Sequence, residues 1–119
     1  MADTFLLKVA DLDDTEVTTI YTCPTTDDSP SDGSAPIEST TAIVKSILVS
    51  EDSGNADTIT VTVTRDSAVF SMFKVKAVGA NTTVELLSQP IVANEGDIIK
   101  ATAATANRLH VLLSVMEIT

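Results

Sequence analysis

Residues 58–64 have the sequence Thr58-Ile59-Thr60-Val61-Thr62-Val63-Thr64, in which hydroxyl and apolar side chains alternate without exception. Neighbouring side chains of a β-strand point to opposite faces, so Ile59, Val61 and Val63 share one face and the four threonines share the other. Strict alternation is typical of a strand with one face on a core and the other in water. We therefore predict a half-buried strand here.

The rest of the chain favours the same secondary structure, because 40 of its 119 residues are the β-branched Thr, Val or Ile, which suit pleated sheets. No amphipathic helix is predicted. We expect residues 42–49 and 58–64 to pair as a hairpin across the turn-rich residues 51–57. Further strands are predicted at 5–7, 16–22, 69–78, 82–87, 91–93, 98–103 and 109–118. Because 5–7 is a weak segment and 91–93 a short one, the series predicts an all-β, two-sheet antiparallel β-sandwich, jelly-roll-like, with seven or eight strands.

The length allows one domain. We predict an N-terminal arm over residues 1–15 and a single β-sandwich domain over 16–119, with an acidic, proline-containing loop at 24–39. No apolar run approaches the ~20 residues that span a bilayer, and Met1-Ala2-Asp3-Thr4 lacks the positive region of a signal peptide. We therefore expect no membrane partner and a cytosol-like site of synthesis.

The net charge of −10 lies entirely in the first half of the chain, where residues 1–57 hold 12 acids and 2 bases. Only seven Lys and Arg are present, which argues against nucleic acid as a partner because a phosphate backbone needs cations. The acidic stretches 11–16, 27–33 and 51–57 offer the oxygen ligands that calcium prefers, but none has the spacing of an EF-hand. Solvated loops are the favoured interpretation, and a weak divalent-cation site stays open.

The sequence offers little for catalysis. His110 and Cys23 are the single histidine and the single cysteine, and the usual hydrolase, zinc-protease and nucleotide motifs are missing. We predict that Cys23 is a buried residue at a strand end and that His110 is structural. No catalytic, cofactor-binding or metal-binding residue is predicted, and the chain is not expected to be an enzyme.

The last strand, 109–118, is apolar on both faces, whereas a sandwich strand should have one wet face. Its outer face must be covered either by the segment Phe5-Leu6-Leu7 or by a neighbouring subunit, and a contact between subunits is favoured. The candidate interaction residues are therefore Phe5, Leu6, Leu7, Leu112, Met116 and Ile118.

Several stretches together carry a family resemblance: Ile20-Tyr21-Thr22-Cys23-Pro24, the apolar strand 42–47, the strand 58–64, the segment 87–103 and the final apolar strand. Over residues 16–119 the chain resembles small all-β structural proteins of tailed bacteriophages, notably marine and cyanobacterial ones. It departs from them in the inserted acidic residues 27–39.

The resemblance implies a non-enzymatic virion component that is made in the host cytoplasm. Its foremost form is a capsid decoration (cement) protein bound to the major capsid protein or to other virion proteins. Apart from the resemblance, the surplus apolar surface of the last strand favours a homo-oligomer, with a trimer as the favoured form. A neck, tail or fibre-associated protein is the alternative. A carbohydrate- or receptor-binding β-sandwich module is a further alternative, for which four aromatic residues are few.

Overall fold

A computed structural model of the chain describes residues 3–24 and 40–118. Within these ranges it contains nine strands, and it has no helix that is long and apolar enough to cross a membrane. The strands are β1 (Asp3–Leu12), β2 (Thr18–Thr22), β3 (Thr41–Glu51), β4 (Asp57–Arg65), β5 (Ala68–Val78), β6 (Thr82–Glu85), β7 (Ile91–Ala93), β8 (Ile98–Ala103) and β9 (Leu109–Ile118).

The strands form two antiparallel sheets. One has the order β1-β9-β3-β6, with β7 also paired to β3, and the other has the order β2-β8-β4-β5. The early strands thus pair with the late ones, as in one long hairpin. This hairpin is rolled up, so that β3 also pairs with β9 and β4 with β8. This is the strand order of a jelly roll, with β7 as an addition. The predicted two-sheet antiparallel β-sandwich is confirmed, with nine strands in the described residues instead of seven or eight because the short segments 5–7 and 91–93 are both part of strands.

The core lies between the two sheets and is almost wholly aliphatic. Ile59 and Val61 of β4 are buried, while the threonines at 60, 62 and 64 of the same strand stay half-exposed. The alternation of residues 58–64 therefore does place one face on the core. Opposite it, β9 contributes Leu113 and its inward-facing neighbours, which are also buried.

The predicted hairpin between residues 42–49 and 58–64 is wrong, because β3 and β4 lie in different sheets. The connecting loop crosses from one sheet to the other, and the buried carboxylate of Glu51 holds it in place. The backbone N–H groups of Ser53, Gly54 and Asn55 donate to this carboxylate over 2.9–3.1 Å, and that of Asn81 donates to it from the turn between β5 and β6. Turn residues between two strands do not reveal which sheet the second strand joins.

The solvated-loop interpretation of residues 51–57 is wrong for its first and last residues, since Glu51 and Asp57 are 2 % and 8 % exposed. Asp57 accepts a hydrogen bond from the backbone N–H of Thr105 over 3.0 Å. Buried carboxylates with such donors stabilise the loops that they contact. The acidic run 27–33 lies outside the described residues, as does the predicted loop 24–39 beyond Pro24.

The segment predicted as an N-terminal arm contains a regular strand. Residues 3–12 form β1, which pairs with β9 from Asp3 opposite Ile118 to Leu12 opposite Leu109 without a shift in register. The alternative in which Phe5-Leu6-Leu7 covers the outer face of the last strand is wrong, because β1 lies beside β9 in the same sheet. It extends that face instead of covering it.

Candidate interaction surface

The five-stranded sheet carries a continuous set of apolar side chains on the side that faces away from the core. We call this set the outer face. Its members point opposite to the buried residues of the same strands. The outer face consists of Phe5, Leu7 and Val9 on β1, Ile43 and Leu48 on β3, Val92 on β7, and Leu112, Met116 and Ile118 on β9.

The strand register arranges most of these residues in two rows that cross the sheet. The first row is Val92, Ile43, Met116 and Phe5, and the second is Leu48, Leu112 and Val9. Side chains directly opposite each other on neighbouring strands are about 5 Å apart, so each row is continuous. Leu7 lies between the rows on β1, level with Ser46 and Ser114. The result is an apolar surface with a small polar centre.

The side chains at the two sides of the outer face are the most exposed. Phe5, Leu7, Val9 and Val92 expose 70 %, 58 %, 66 % and 60 % of their surface, and the other members are half-buried. At about 150–200 Å² for each side chain in an open chain, the exposed part sums to about 600 Å². That is at the upper end of the apolar patches that monomeric proteins leave exposed, and such patches mark contact sites.

The outer face is shallow. A depression of about 350 Å³ lies beside Phe5, Leu7, Lys45 and Ser114, and one of about 300 Å³ lies beside Val9, Asp11 and His110 at the other end of the face. Both are open to solvent. The Lys45 ammonium lies 5.9 Å from the centre of the Phe5 ring, within the range of a cation–π contact. Such a surface fits another protein surface better than it fits an enclosed small molecule.

His110 lies at the rim of the outer face, between two carboxylates. Its Nε2 atom is 3.2 Å from Asp11 Oδ1, its Nδ1 atom is 3.7 Å from Asp52 Oδ2, and 41 % of its side chain is exposed. His110, Asp11 and Asp52 thus form a polar cluster at this rim of the outer face. Across residues 3–24 and 40–118, no group of three His, Cys, Asp or Glu side chains is placed to hold a metal ion.

The structure brings together five of the six predicted interaction residues on the outer face. Leu6 does not belong to it, because its side chain points inward, is partly buried and packs against the core. Sequence reasoning missed Val9, Ile43, Leu48 and Val92. Alternation from Phe5 through Leu7 points to Val9, but no alternation rule places Ile43 and Leu48 on one face, since one position is odd and the other is even.

A β-bulge explains how Ile43 and Leu48 come to share a face. The register of β3 against β9 shifts between Val44 and Ser46. The extra residue moves the outward-pointing side chains of β3 from odd-numbered positions before the bulge to even-numbered positions after it. The carboxylate of Glu85 on β6 stabilises the bulge by accepting hydrogen bonds from the Ser46 hydroxyl and from the Ile47 backbone N–H over 2.9 Å. Burial alone raises the pKa of Glu85, but these hydrogen bonds outweigh it and lower the pKa.

Two further part-buried polar contacts join elements of the sandwich away from the outer face. The Arg65 side chain at the end of β4 donates two hydrogen bonds to the carboxylate of Asp97, one of them from Nε over 2.8 Å, and this pairing lowers the pKa of Asp97. The Tyr21 hydroxyl on β2 donates to Glu117 Oε2 on β9 over 2.5 Å. The first contact joins β4 to the turn before β8 and the second joins β2 to β9, so both are structural.

Cys23 is fully buried directly after β2, as predicted for a residue at a strand end. Burial raises the pKa of its thiol. A buried, protonated thiol is a poor nucleophile, so Cys23 serves packing.

Comparison with family models, with curated proteins and with solved structures gives no match to this chain.

Proposed function

We propose that this chain is a non-enzymatic structural protein of a tailed-phage virion. In its foremost form it is a capsid decoration protein that binds the head shell through the outer face. The observation that carries the proposal is an apolar surface of about 600 Å² on the outside of a sandwich whose core is already complete.

The size of the outer face suits a contact with a protein lattice. A standard interface buries about 800 Å² on each partner, with an apolar centre and a polar rim. The outer face supplies the apolar area. Lys45 beside Phe5 supplies a charge within this area, and Asp11 beside His110 supplies one at its rim, where charges set orientation more than affinity.

The fold and the sequence resemblance agree with this role. Jelly rolls build many viral capsid domains, although lectins and cupins share the architecture, so the fold alone does not assign a function. The resemblance of the sequence to small phage structural proteins is what supports a role in a virion. The charge of −10 fits a component present in many copies, because like-charged copies do not aggregate before assembly.

The first test is the copy number in purified virions, measured by quantitative mass spectrometry. A decoration protein is expected in hundreds of copies per particle. Six or twelve copies would refute a place on the head shell and would favour the neck, tail or fibre.

The second test compares two substitutions on opposite sheets. Val92→Asp places a charge on the outer face, and Val69→Asp is the matched control on β5, since the two valines are 60 % and 63 % exposed. We expect Val92→Asp to abolish co-sedimentation with emptied heads and Val69→Asp to retain it. Equal binding by the two variants would show that the outer face is not the shell contact.

A further inference from the structure

The edges of the two sheets differ in how well they are protected against pairing with another strand. Natural edges are blunted by short strands, bulges, lysines or prolines. The β2 edge is five residues long and has a shift in register, and the edge formed by β6 and β7 consists of four and three residues with Pro90 between them. The β5 edge has two shifts in register and carries Lys74 and Lys76.

The β1 edge lacks most of these features. The strand is ten residues long, contains no proline and runs against β9 in one unbroken register. Alternate residues of an edge strand direct their N–H and C=O groups away from the sheet, so within residues 3–24 and 40–118 the outer edge of β1 offers a row of donors and acceptors with no strand paired to it. Its one cation is Lys8, on the half-buried, core-facing side. Of the described edges, β1 is the one suited to accept another strand.

The pattern of side chains on β1 indicates what that strand is. The residues on its outer side are Asp3, Phe5, Leu7, Val9 and Asp11, and this order of acid, three apolar residues and acid has the same chemistry in both directions. An antiparallel copy of β1 with its two-fold axis at Leu7 places Leu7 opposite itself and Phe5 opposite Val9. Pairs of an aromatic and a β-branched residue across strands are favourable.

We infer that β1 pairs antiparallel with β1 of a second copy of this chain, with the axis at Leu7. The two five-stranded sheets then form one continuous sheet, and the two outer faces lie side by side on the same surface. On the core-facing side Lys8 lies opposite Leu6 of the second copy, and its long side chain reaches water past the strand edge. The inference rests on the edge and does not require a capsid shell as the partner.

The size of the contact predicts a reversible dimer. A strip about 34 Å long and about 12 Å deep buries about 400 Å² on each copy, which is below the range of stable interfaces. Asp3 lies opposite Asp11 of the second copy at each end, so repulsion opposes pairing and added salt is expected to strengthen it. An isologous contact closes with two copies. It therefore favours a dimer over the trimer that was expected from the sequence.

Cysteine crosslinking tests the contact. Leu7→Cys brings two thiols face to face at the axis, within reach of a disulfide. Val9→Cys tests the register, because its two copies lie about 14 Å apart when the axis is at Leu7. Val92→Cys is the matched control on the same face but on β7, at 60 % exposure against 58 % for Leu7. The natural Cys23 is fully buried and does not compete.

Under mild oxidation we expect Leu7→Cys to give a disulfide dimer and the other two variants to stay monomeric on a non-reducing gel. Analytical ultracentrifugation of the unsubstituted protein should show a monomer–dimer equilibrium that shifts to dimer with salt. Crosslinking of Val92→Cys as strong as that of Leu7→Cys would overturn the inference in favour of face-to-face packing. A monomeric Leu7→Cys with native circular dichroism, or a trimer in the centrifuge, would also overturn it.

These outcomes are independent of the capsid proposal. If the chain does not bind heads but Leu7→Cys crosslinks, the proposed function fails and the β1 contact stands. If Val69→Asp binds heads, Val92→Asp does not, and Leu7→Cys stays monomeric, the shell contact stands and the β1 contact fails.

Discussion

The exposure of the outer face can be measured by truncating one leucine on each side of the same sheet. Leu113 of β9 is fully buried and Leu7 of β1 is 58 % exposed. The two strands are neighbours, and Leu7 lies opposite Ser114 in their register. The variants Leu113→Ala and Leu7→Ala therefore make the same chemical change in the same sheet, and they differ in the face that loses the atoms.

The structure predicts very different costs. Leu113→Ala leaves a cavity in the core and should lower the free energy of unfolding by about 3–5 kcal/mol. Leu7 keeps about 70 Å² of its roughly 170 Å² covered, worth less than about 2 kcal/mol at about 25 cal/mol per Å², and truncation to alanine removes about half of that. The expected cost of Leu7→Ala is about 1 kcal/mol.

Urea denaturation followed by circular dichroism measures both costs. With a slope of about 1.5 kcal/mol per molar urea, the midpoint should fall by about 2–3 M for Leu113→Ala and by less than 1 M for Leu7→Ala. The comparison belongs at low protein concentration, because dimer formation stabilises the folded chain by mass action. Equal costs for the two variants in dilute solution would show that the outer face is covered within one chain, and the reasoning on the contact surface would fail.

Two further predictions concern buried polar groups. Burial alone raises the pKa of Glu51, but hydrogen bonds from Ser53 and from backbone N–H groups lower it to about 2. The contribution of the ionised Glu51 carboxylate to stability is therefore complete above the unfolded pKa of 4.5 and is lost as the pH falls toward 2. Glu51→Gln should lower the Tm by several degrees at pH 7 and by less at pH 3, whereas Glu16→Gln at an exposed position should leave the Tm unchanged at both pH values. A loss of Tm in Glu51→Gln that does not depend on pH would contradict this prediction. Burial and the hydrogen bond to Glu117 raise the pKa of Tyr21, which is the single tyrosine of the sequence. Its phenolate absorbance at alkaline pH should therefore appear together with unfolding, and ionisation near pH 10 in the folded protein would contradict the burial of the hydroxyl. Tyr21→Phe should lower the free energy of unfolding by about 1.5–3 kcal/mol, measured by urea denaturation.

The parts of the fold that follow from neighbouring residues could be predicted from the sequence. The alternation of 58–64 identifies β4 and its buried face. The two apolar faces of the segment 109–118 predicted an apolar outer surface, which β9 has, whereas its predicted cover stays a prediction. Each of these features depends on residues within one strand.

The features that depend on the pairing of distant strands could not be predicted. Residues 52–56 have the composition of a hairpin turn, yet they cross between sheets because Glu51 binds backbone groups of its own loop and of the turn at Asn81. The outer face on β3 depends on a bulge supported by Glu85, which is 39 residues from Ser46. Alternation within one strand cannot predict either contact, because each joins residues that are far apart in the sequence.

The rolled-up hairpin has a consequence for the order of folding. The β4–β5 pair closes through the two-residue turn Asp66-Ser67, in which both residues have positive φ as hairpin turns require, so it forms between neighbours in the sequence. The β1–β9 pair joins Asp3 to Ile118, and the closure of so long a loop is entropically costly and slow. During synthesis β1 can pair with β9 only after β9 has been made. The apolar outer face is therefore assembled only once β9 has joined the sheet, so no contact through the whole face can form earlier.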